Sequence, residues 1–372
     1  MVTFGSREPV ARHDARVELV WLRMPDPIAT LADNDLLRAP MEICWQFAYA
    51  TDNEKLKSLY SKAKKFQWDA DTDLDFTIDV DPSKPLVDEE ATGGMYFLPI
   101  IAKLSSAQQA LLRAHLAAYR LSQFLHGEQG ALMTAAALTH AVPDHQGKLY
   151  AATQTMDEAR HVEVFARYIA KVAVIYPMNL PFKAMIDKTL IADHWVKIAI
   201  GMNMMVEGMA LASFHNMARR TSCELLRQLL TYVLRDESRH VAFGGLYVAE
   251  AIAAMHADDR EDIADFTFDV LQLLRASRRD DVTPDPGFLS VLDAAGLDRD
   301  DFLRDVRTAR ASGQAVELPR DLVHPFKHLM MPALVRVGAI TERARRRYAE
   351  VGIPVWEDKA ALEAFERNGE LS

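Results

Sequence analysis

Four short fragments of the 372-residue chain hold acid and imidazole groups in a related pattern: Gly127-Glu128-Gln129-Gly130, Asp157-Glu158-Ala159-Arg160-His161, Val206-Glu207-Gly208 and Asp236-Glu237-Ser238-Arg239-His240. The second and fourth share Asp-Glu-x-Arg-His, while the first and third each set one Glu in a mainly apolar stripe. A single Glu-x-x-His means little, because most such pairs lie on solvated helix faces. The spacing carries more. Glu128 and Glu158 are 30 residues apart, and so are Glu207 and Glu237. In an antiparallel helical hairpin, residues equidistant from the turn face each other, and the two midpoints are Pro143 and Ser222. At a rise of about 1.5 Å per residue, each Glu lies roughly 22 Å from its turn. Glu and His at i and i+3 share a helix face. Two such hairpins packed face to face bring four carboxylates and two imidazoles to one level. Burying four ionised carboxylates costs several kcal/mol apiece before their repulsion is added, so a cation is required. Two divalent ions balance four negative charges, and mixed oxygen and imidazole donors suit iron or manganese.

Long helices must hold these groups. Apolar residues recur at helical spacing over about Ser105–Val142, His145–Tyr176, Ile191–Arg220 and Thr221–His256, stretches of some thirty residues each that predict a helical bundle. Val142-Pro143 ends the first, and Thr221-Ser222-Cys223-Glu224 opens the fourth with a capping-box pattern. Residues 1–104 read as short helices and loops. Further helices are expected over about 259–276, 287–310 and 321–349. The domain reading is an N-terminal extension (1–104), a metal-binding four-helix bundle (105–256) and a C-terminal helical extension (257–372), together one continuous unit.

One Glu from each of two helices plus Glu-x-x-His from each of the other two is the ligand set of di-iron and di-manganese carboxylate bundles. On those residues the chain resembles the ferritin-like di-iron carboxylate superfamily, whose members include ribonucleotide reductase small subunits, multicomponent monooxygenases and arylamine N-oxygenases. The resemblance implies an all-α fold, a ferritin-like four-helix bundle with added N- and C-terminal helices. It implies that Glu128, Glu158 and His161 bind one iron and Glu207, Glu237 and His240 the other, with Glu158 and Glu237 as bridges. A Mn/Fe pair also fits. Asp157 and Asp236 would orient the imidazoles, with Arg160 and Arg239 in the same network. The radical-bearing Tyr of reductase small subunits is replaced by Phe165. The extra His that arylamine N-oxygenases place four residues before the last Glu is Val233 here, so a seventh ligand is not supported. Leu211 stands where multicomponent monooxygenases usually have Thr. By these marks none of the subfamilies fits well.

The formal charge of −10 argues against capture of nucleic acid or anionic lipid, which need clustered Lys and Arg. The start lacks a signal-peptide core, and the greasiest stretch, Ile198–Phe214, contains Asn203 and Glu207, so a cytoplasmic protein without a membrane span is expected. Cys44 and Cys223 are too few for a disulfide scaffold. Phe124, Phe165, Leu211, Phe214 and Val233 flank the ligand positions and would wall a substrate pocket. The expected function is a di-iron oxygenase or oxidase that uses O2 to hydroxylate, desaturate or cleave a largely apolar organic substrate. No nucleotide-binding Gly-rich loop is visible, so electrons would come from a ferredoxin or flavin reductase, and a homodimer is common in the family. The competing readings are a ferroxidase or iron-handling protein without organic substrate, and a di-metal radical-generating subunit.

Overall fold

The computed structural model describes residues 36–49, 53–88, 98–276, 285–312 and 321–357, with Ala360 and Glu363. Among them the secondary structure is helical throughout, with no strand. Helix α1 spans Glu54–Lys65, α2 Ser106–Ala141, α3 His145–Val172 and α4 Leu180–Leu190. Helix α5 runs Trp195–Arg220, α6 Glu224–Ala254 and α7 Ala257–Ala276. Four of these, α2, α3, α5 and α6, form the bundle.

Local chemistry explains their ends. Ser105 and Gln108 make a reciprocal capping box at the start of α2. Asp144 caps α3 by accepting from the Gly147 N–H. Pro143 sits between them and cannot continue the first helix. The second hairpin turns where its midpoint predicts, but by a different device. The N-cap of α6 is Cys223, which offers no side-chain cap, and the Thr221 hydroxyl accepts from the Cys223 N–H instead of capping Glu224.

Other boundaries depart from the expected ones. Helix α3 stops at Val172 rather than Tyr176, and the freed chain turns so that the Tyr176 N–H donates to the Ser122 hydroxyl on α2. Helix α4, capped by Asn179, fills most of the gap between the expected helices His145–Tyr176 and Ile191–Arg220. The segment expected as one helix over 287–310 is two, Pro286–Ala294 and Arg299–Ala311, parted at Gly296. With φ of +69° that residue is in the left-handed region where glycine is free of Cβ strain. Gly338, with φ of +81°, likewise separates Met331–Arg336 from Glu342–Glu350.

The bundle interior is apolar on either side of one polar layer. On the side of the α2–α3 turn lie Leu138, Tyr150, Met204 and Phe243, and on the other Leu121, Phe165, Phe214 and Leu229. Helix α5 is long and apolar enough to cross a membrane, yet 83% of its apolar window is buried in the protein, as expected for a core helix.

Candidate metal centre

Each bundle helix delivers its share of the polar layer at mid-length, where both helix ends hold it in place. Helix α2 brings Glu128, α3 brings Glu158 and His161, α5 brings Glu207, and α6 brings Glu237 and His240. All six are buried, the most accessible being Glu128 at 4%. Their donor atoms fall into two groups, each within 4.8 Å: Glu128, Glu158, His161 and Glu237 in one, Glu158, Glu207 and His240 in the other. The His161 Nδ1 lies 3.2 Å from Glu128, 3.2 Å from Glu158 and 3.3 Å from Glu237. The His240 Nδ1 lies 3.1 Å from Glu158 and 3.7 Å from Glu237. Glu158 and Glu237 thus reach both imidazoles, the position a bridging carboxylate needs.

The donor set suits two divalent cations. Glu158 Oε2, Glu237 Oε2 and His240 Nδ1 are buried and make no well-aligned hydrogen bond among the described residues, although each stands 3.1–3.7 Å from an imidazole nitrogen or carboxylate oxygen of the layer. Buried groups so crowded and so poorly aligned are costly unless something positive is shared between them. Oxygen and imidazole donors without thiolate match iron and manganese.

Behind the imidazoles the bracing is crossed. His161 on α3 turns its Nε2 to Asp236 on α6 at 3.2 Å, and His240 on α6 turns its Nε2 to Asp157 on α3 at 3.3 Å. Asp157 and Asp236 each also bind the Arg of their own motif, Arg160 and Arg239. Arg239 reaches across to Asp157 at 3.3 Å. Two residues following α1 complete the shell: the Trp68 indole donates to Asp236 at 2.7 Å, and the Gln67 amide donates to Asp157 at 3.1 Å. Arg160 donates to the Gln67 carbonyl at 2.6 Å, so α1 is tied to the layer from outside. These bonds orient each ring so that Nδ1 faces inward.

Two buried amides were not among the candidates read from the sequence. Gln154, one turn before Glu158, donates to Glu158 at 3.1 Å and to Glu207 at 2.7 Å. Asn203 donates to the Gln154 carbonyl at 3.0 Å and to the other Glu207 oxygen at 3.2 Å. Glu207 is therefore held at both oxygens. Asn203 belongs to a π-helical segment, Ile200–Val206, inserted in α5 immediately before Glu207. Such wide turns cost helix hydrogen-bond geometry and gather at functional sites. The widened backbone has room because its neighbours are small: a Cβ on Gly244 would stand 2.8 Å from the Asn203 Cβ. The available signal was a polar Asn inside the greasiest stretch of the chain.

Electrostatics follow from burial and crowding. Burial, then the Glu237 charge, pushes the Glu128 carboxyl well above its ordinary range. Burial also raises Glu207, with Glu158 and Glu237 adding to it against His240. Burial alone would strip both imidazoles of charge, but Asp236, Glu128 and Glu158 hold His161 protonated, and Glu158 and Asp157 do the same for His240. Glu158 runs the other way: burial would raise it, and His240 and His161 together hold it below the usual carboxylate range. The metal-free layer thus keeps protons where cations belong.

Of the five residues expected to wall a pocket, three meet as an aromatic cluster beside the polar layer, Phe124 and Phe165 each four residues and Phe214 seven residues along its helix from a candidate ligand. The Phe124 and Phe214 rings are 4.7 Å apart, and Phe165 and Phe214 are 5.4 Å apart. Val233 is fully buried in the same apolar half, where it provides no ligand atom, while Leu211 packs in the other half. Tyr168 is buried and donates to the Cys223 sulfur at 3.3 Å.

Comparison with known proteins adds the following. The family described as "P-aminobenzoate N-oxygenase AurF" matches residues 50–331, well over half of the chain. The match corrects the reading that the arylamine N-oxygenase pattern does not fit, although Val233 stands where a seventh ligand was sought. No curated protein matches the chain. Among solved structures, an R2-like ligand-binding oxidase with aerobically reconstituted Mn/Fe cofactor is similar at 20% identity and a TM-score of 0.43, covering 82% of this chain and 95% of that one. A variant of that oxidase gives 20% identity and a TM-score of 0.44 over 83% and 97%.

Proposed function

Because the chain belongs to the P-aminobenzoate N-oxygenase AurF family, we propose that it is an O2-using, non-haem di-metal oxygenase whose six ligands are Glu128, Glu158, His161, Glu207, Glu237 and His240. A single observation carries this reading: two buried donor groups that share Glu158 and contain no thiolate. In this assignment Glu128 and His161 would help hold one ion and Glu207 and His240 the other, with Glu158 and Glu237 within reach of both imidazoles. Bound there, two metals would supply the binding and reduction of O2, chemistry that no side chain of the layer can perform.

The protein's own residues have three tasks. Asp236 and Asp157 accept from the outer nitrogens of His161 and His240, which fixes the tautomer that leaves Nδ1 free to bind. Gln154 and Asn203 hold both oxygens of Glu207, so that this carboxylate does not swing. The Phe124, Phe165 and Phe214 cluster keeps water from one side of the centre and offers an apolar wall to an organic substrate. The family description makes an aryl amine the first substrate class to try, with oxygen transferred to its nitrogen. Electrons would come from a ferredoxin or flavin reductase, and the working form is a cytoplasmic homodimer.

The test is anaerobic loading with Fe(II), metal analysis, and then exposure to O2 with and without p-aminobenzoate and larger aryl amines. Two metals per chain and substrate-stimulated O2 uptake with an N-oxygenated product are expected. Ferric mineral as the sole product, whatever amine is present, overturns the oxygenase reading.

A further inference from the structure

The solvent side of the α2–α3 hairpin lacks the charged stripe that a surface helix normally turns to water. Between residues 121 and 162 the only Asp, Glu, Lys or Arg side chains that are not buried are Asp144 and Lys148, and both are spent on helix ends at the turn. Asp144 accepts from the Gly147 N–H, and Lys148 donates to the His140 carbonyl at 3.0 Å. The outward positions hold Met133 and Ala136 on α2, and Ala152, Met156 and Ala159 on α3. Residues equidistant from Pro143 lie at one height, so Met133 comes level with the stretch from Ala152 to Met156.

An extended segment continues this face at the turn. Residues 41–49 form neither helix nor strand. They are tied to the turn by the Cys44 N–H, which donates to the His140 carbonyl at 2.9 Å, and by the Gln46 amide, which donates to the Pro143 carbonyl at 3.0 Å. Side chains alternate along an extended chain. Cys44 and Gln46 turn toward the protein and are half-buried, while Ile43, Trp45, Phe47 and Tyr49 take the other side and are exposed. The Trp45 and Phe47 rings stack on each other with centroids 5.3 Å apart. The usual arrangement, apolar side chains inward, is inverted here.

Ile43, Trp45, Phe47, Tyr49, Met133 and Met156 are each 45% to 78% exposed. At roughly 150–250 Å² for a fully exposed large side chain, together they offer about 600–900 Å² of surface. The largest apolar patch of a typical monomer is about 300–600 Å², and a standard interface takes roughly 800 Å² from each partner.

We propose that the outer side of α2 and α3, together with residues 41–49, is where a second copy of this chain docks about a two-fold axis. Such a contact presupposes the proposed homodimer and gives it a surface. A two-fold contact sets one patch against itself, so that patch must hold both knobs and hollows. Trp45, Phe47, Met133 and Met156 supply the bulk, and Ala152 and Ala159 the room. Charge points to the same partner. Each copy carries −10, and two such chains meet at least cost where neither presents an ion. A transient electron donor would instead use a smaller contact steered by charge. The inner sides of α2 and α3 hold Glu128, Glu158 and His161, so the dimer clamps the hairpin that carries three of the six candidate ligands.

Sedimentation velocity over a concentration series tests this on the full-length chain, with far-UV circular dichroism as the check on folding. Trp45→Glu with Phe47→Glu should raise the dimer dissociation constant at least about thirtyfold, the loss expected of a central aromatic anchor. Met156→Glu should weaken the dimer to a similar degree. All three positions are exposed in the single chain, so both variants should keep the helical spectrum of the unaltered chain. Ile175→Glu, at an exposed apolar position beyond the other end of α3, should leave the constant unchanged. Unaltered affinity in either the arm variant or Met156→Glu, or equal weakening in Ile175→Glu, overturns this surface while the homodimer stands on another face. An unaltered chain that sediments as a monomer throughout the series overturns the surface and the homodimer together, leaving the face to a different protein.

Discussion

Two metal ions should displace about four protons from the centre. The polar layer contains six carboxylates (Glu128, Glu158, Glu207, Glu237, Asp157 and Asp236), two arginines and two histidines, all buried. With every carboxylate ionised and both imidazoles neutral, its formal charge is −4. Two divalent cations bring that to zero. Protons on Glu128, Glu207, His161 and His240 do the same, and those are the four groups whose surroundings favour the protonated form. Metal-free and loaded layers are then equally neutral, which is the condition a low-dielectric interior imposes. Each proton displaced changes the binding free energy by about 1.4 kcal/mol per pH unit, so four make overall two-metal affinity rise by roughly 5.5 kcal/mol for each unit of pH increase. Titration calorimetry with Mn(II) in buffers of differing protonation enthalpy counts the protons, and chelator competition at several pH values gives the slope. The steep rise should persist while the four groups hold their protons and flatten above their raised values. Release of fewer than two protons per two metals, or a flat affinity between pH 6 and 8, refutes the charge-balance reasoning.

The same groups set the stability of the metal-free protein. His161 and His240 lie above their ordinary 6.5 and Glu128 and Glu207 above 4.5, so the folded state binds more protons than the unfolded one. Their contribution is complete below those ordinary values and is lost as pH rises through the raised ones, so the metal-free melting temperature should fall from pH 6.5 upward while that of the loaded protein does not. Trp68→Phe keeps the stack on Tyr232 but removes the donor to buried Asp236, and chemical denaturation should show a loss of about 1.5–3 kcal/mol. Gly244→Ala drives a Cβ against Asn203, so a stability loss of about 1–3 kcal/mol is expected, with weaker binding of the second metal in calorimetry because Glu207 loses its brace. Glu128→Ala and His240→Ala should each lower bound metal by mass spectrometry, and an unchanged stoichiometry in both refutes the ligand assignment.

The level of the six groups was legible in the sequence because a helix is a ruler. Intra-helix hydrogen bonds set the rise, so two separations of 30 residues about Pro143 and Ser222 place Glu128 beside Glu158 and Glu207 beside Glu237 without reference to anything distant. Breaks were less legible. The splits at Gly296 and Gly338 depend on φ values that glycine permits but does not impose, and α4 is too short for its periodicity to separate it from a connection. Family membership was only half legible: the superfamily followed from the ligand pattern, while single-position marks such as Val233 pointed away from the family that the longer match identifies.

The sequence by itself therefore determined which side chains meet, since their heights are properties of single helices and of the turns that join them. Only the tertiary structure decided how they are shared. Asp157 serves His240 and Asp236 serves His161 because α3 and α6 face each other across the layer, and no motif read along one helix reveals a partner on another. Packing also brought Gln67 and Trp68 to the outer carboxylates from some 90 and 170 residues away in the chain. The π-helical turn that aims Asn203 at Glu207 has the same origin. Its backbone geometry is unfavourable in an isolated helix and persists where Gly244 on the facing helix leaves the space.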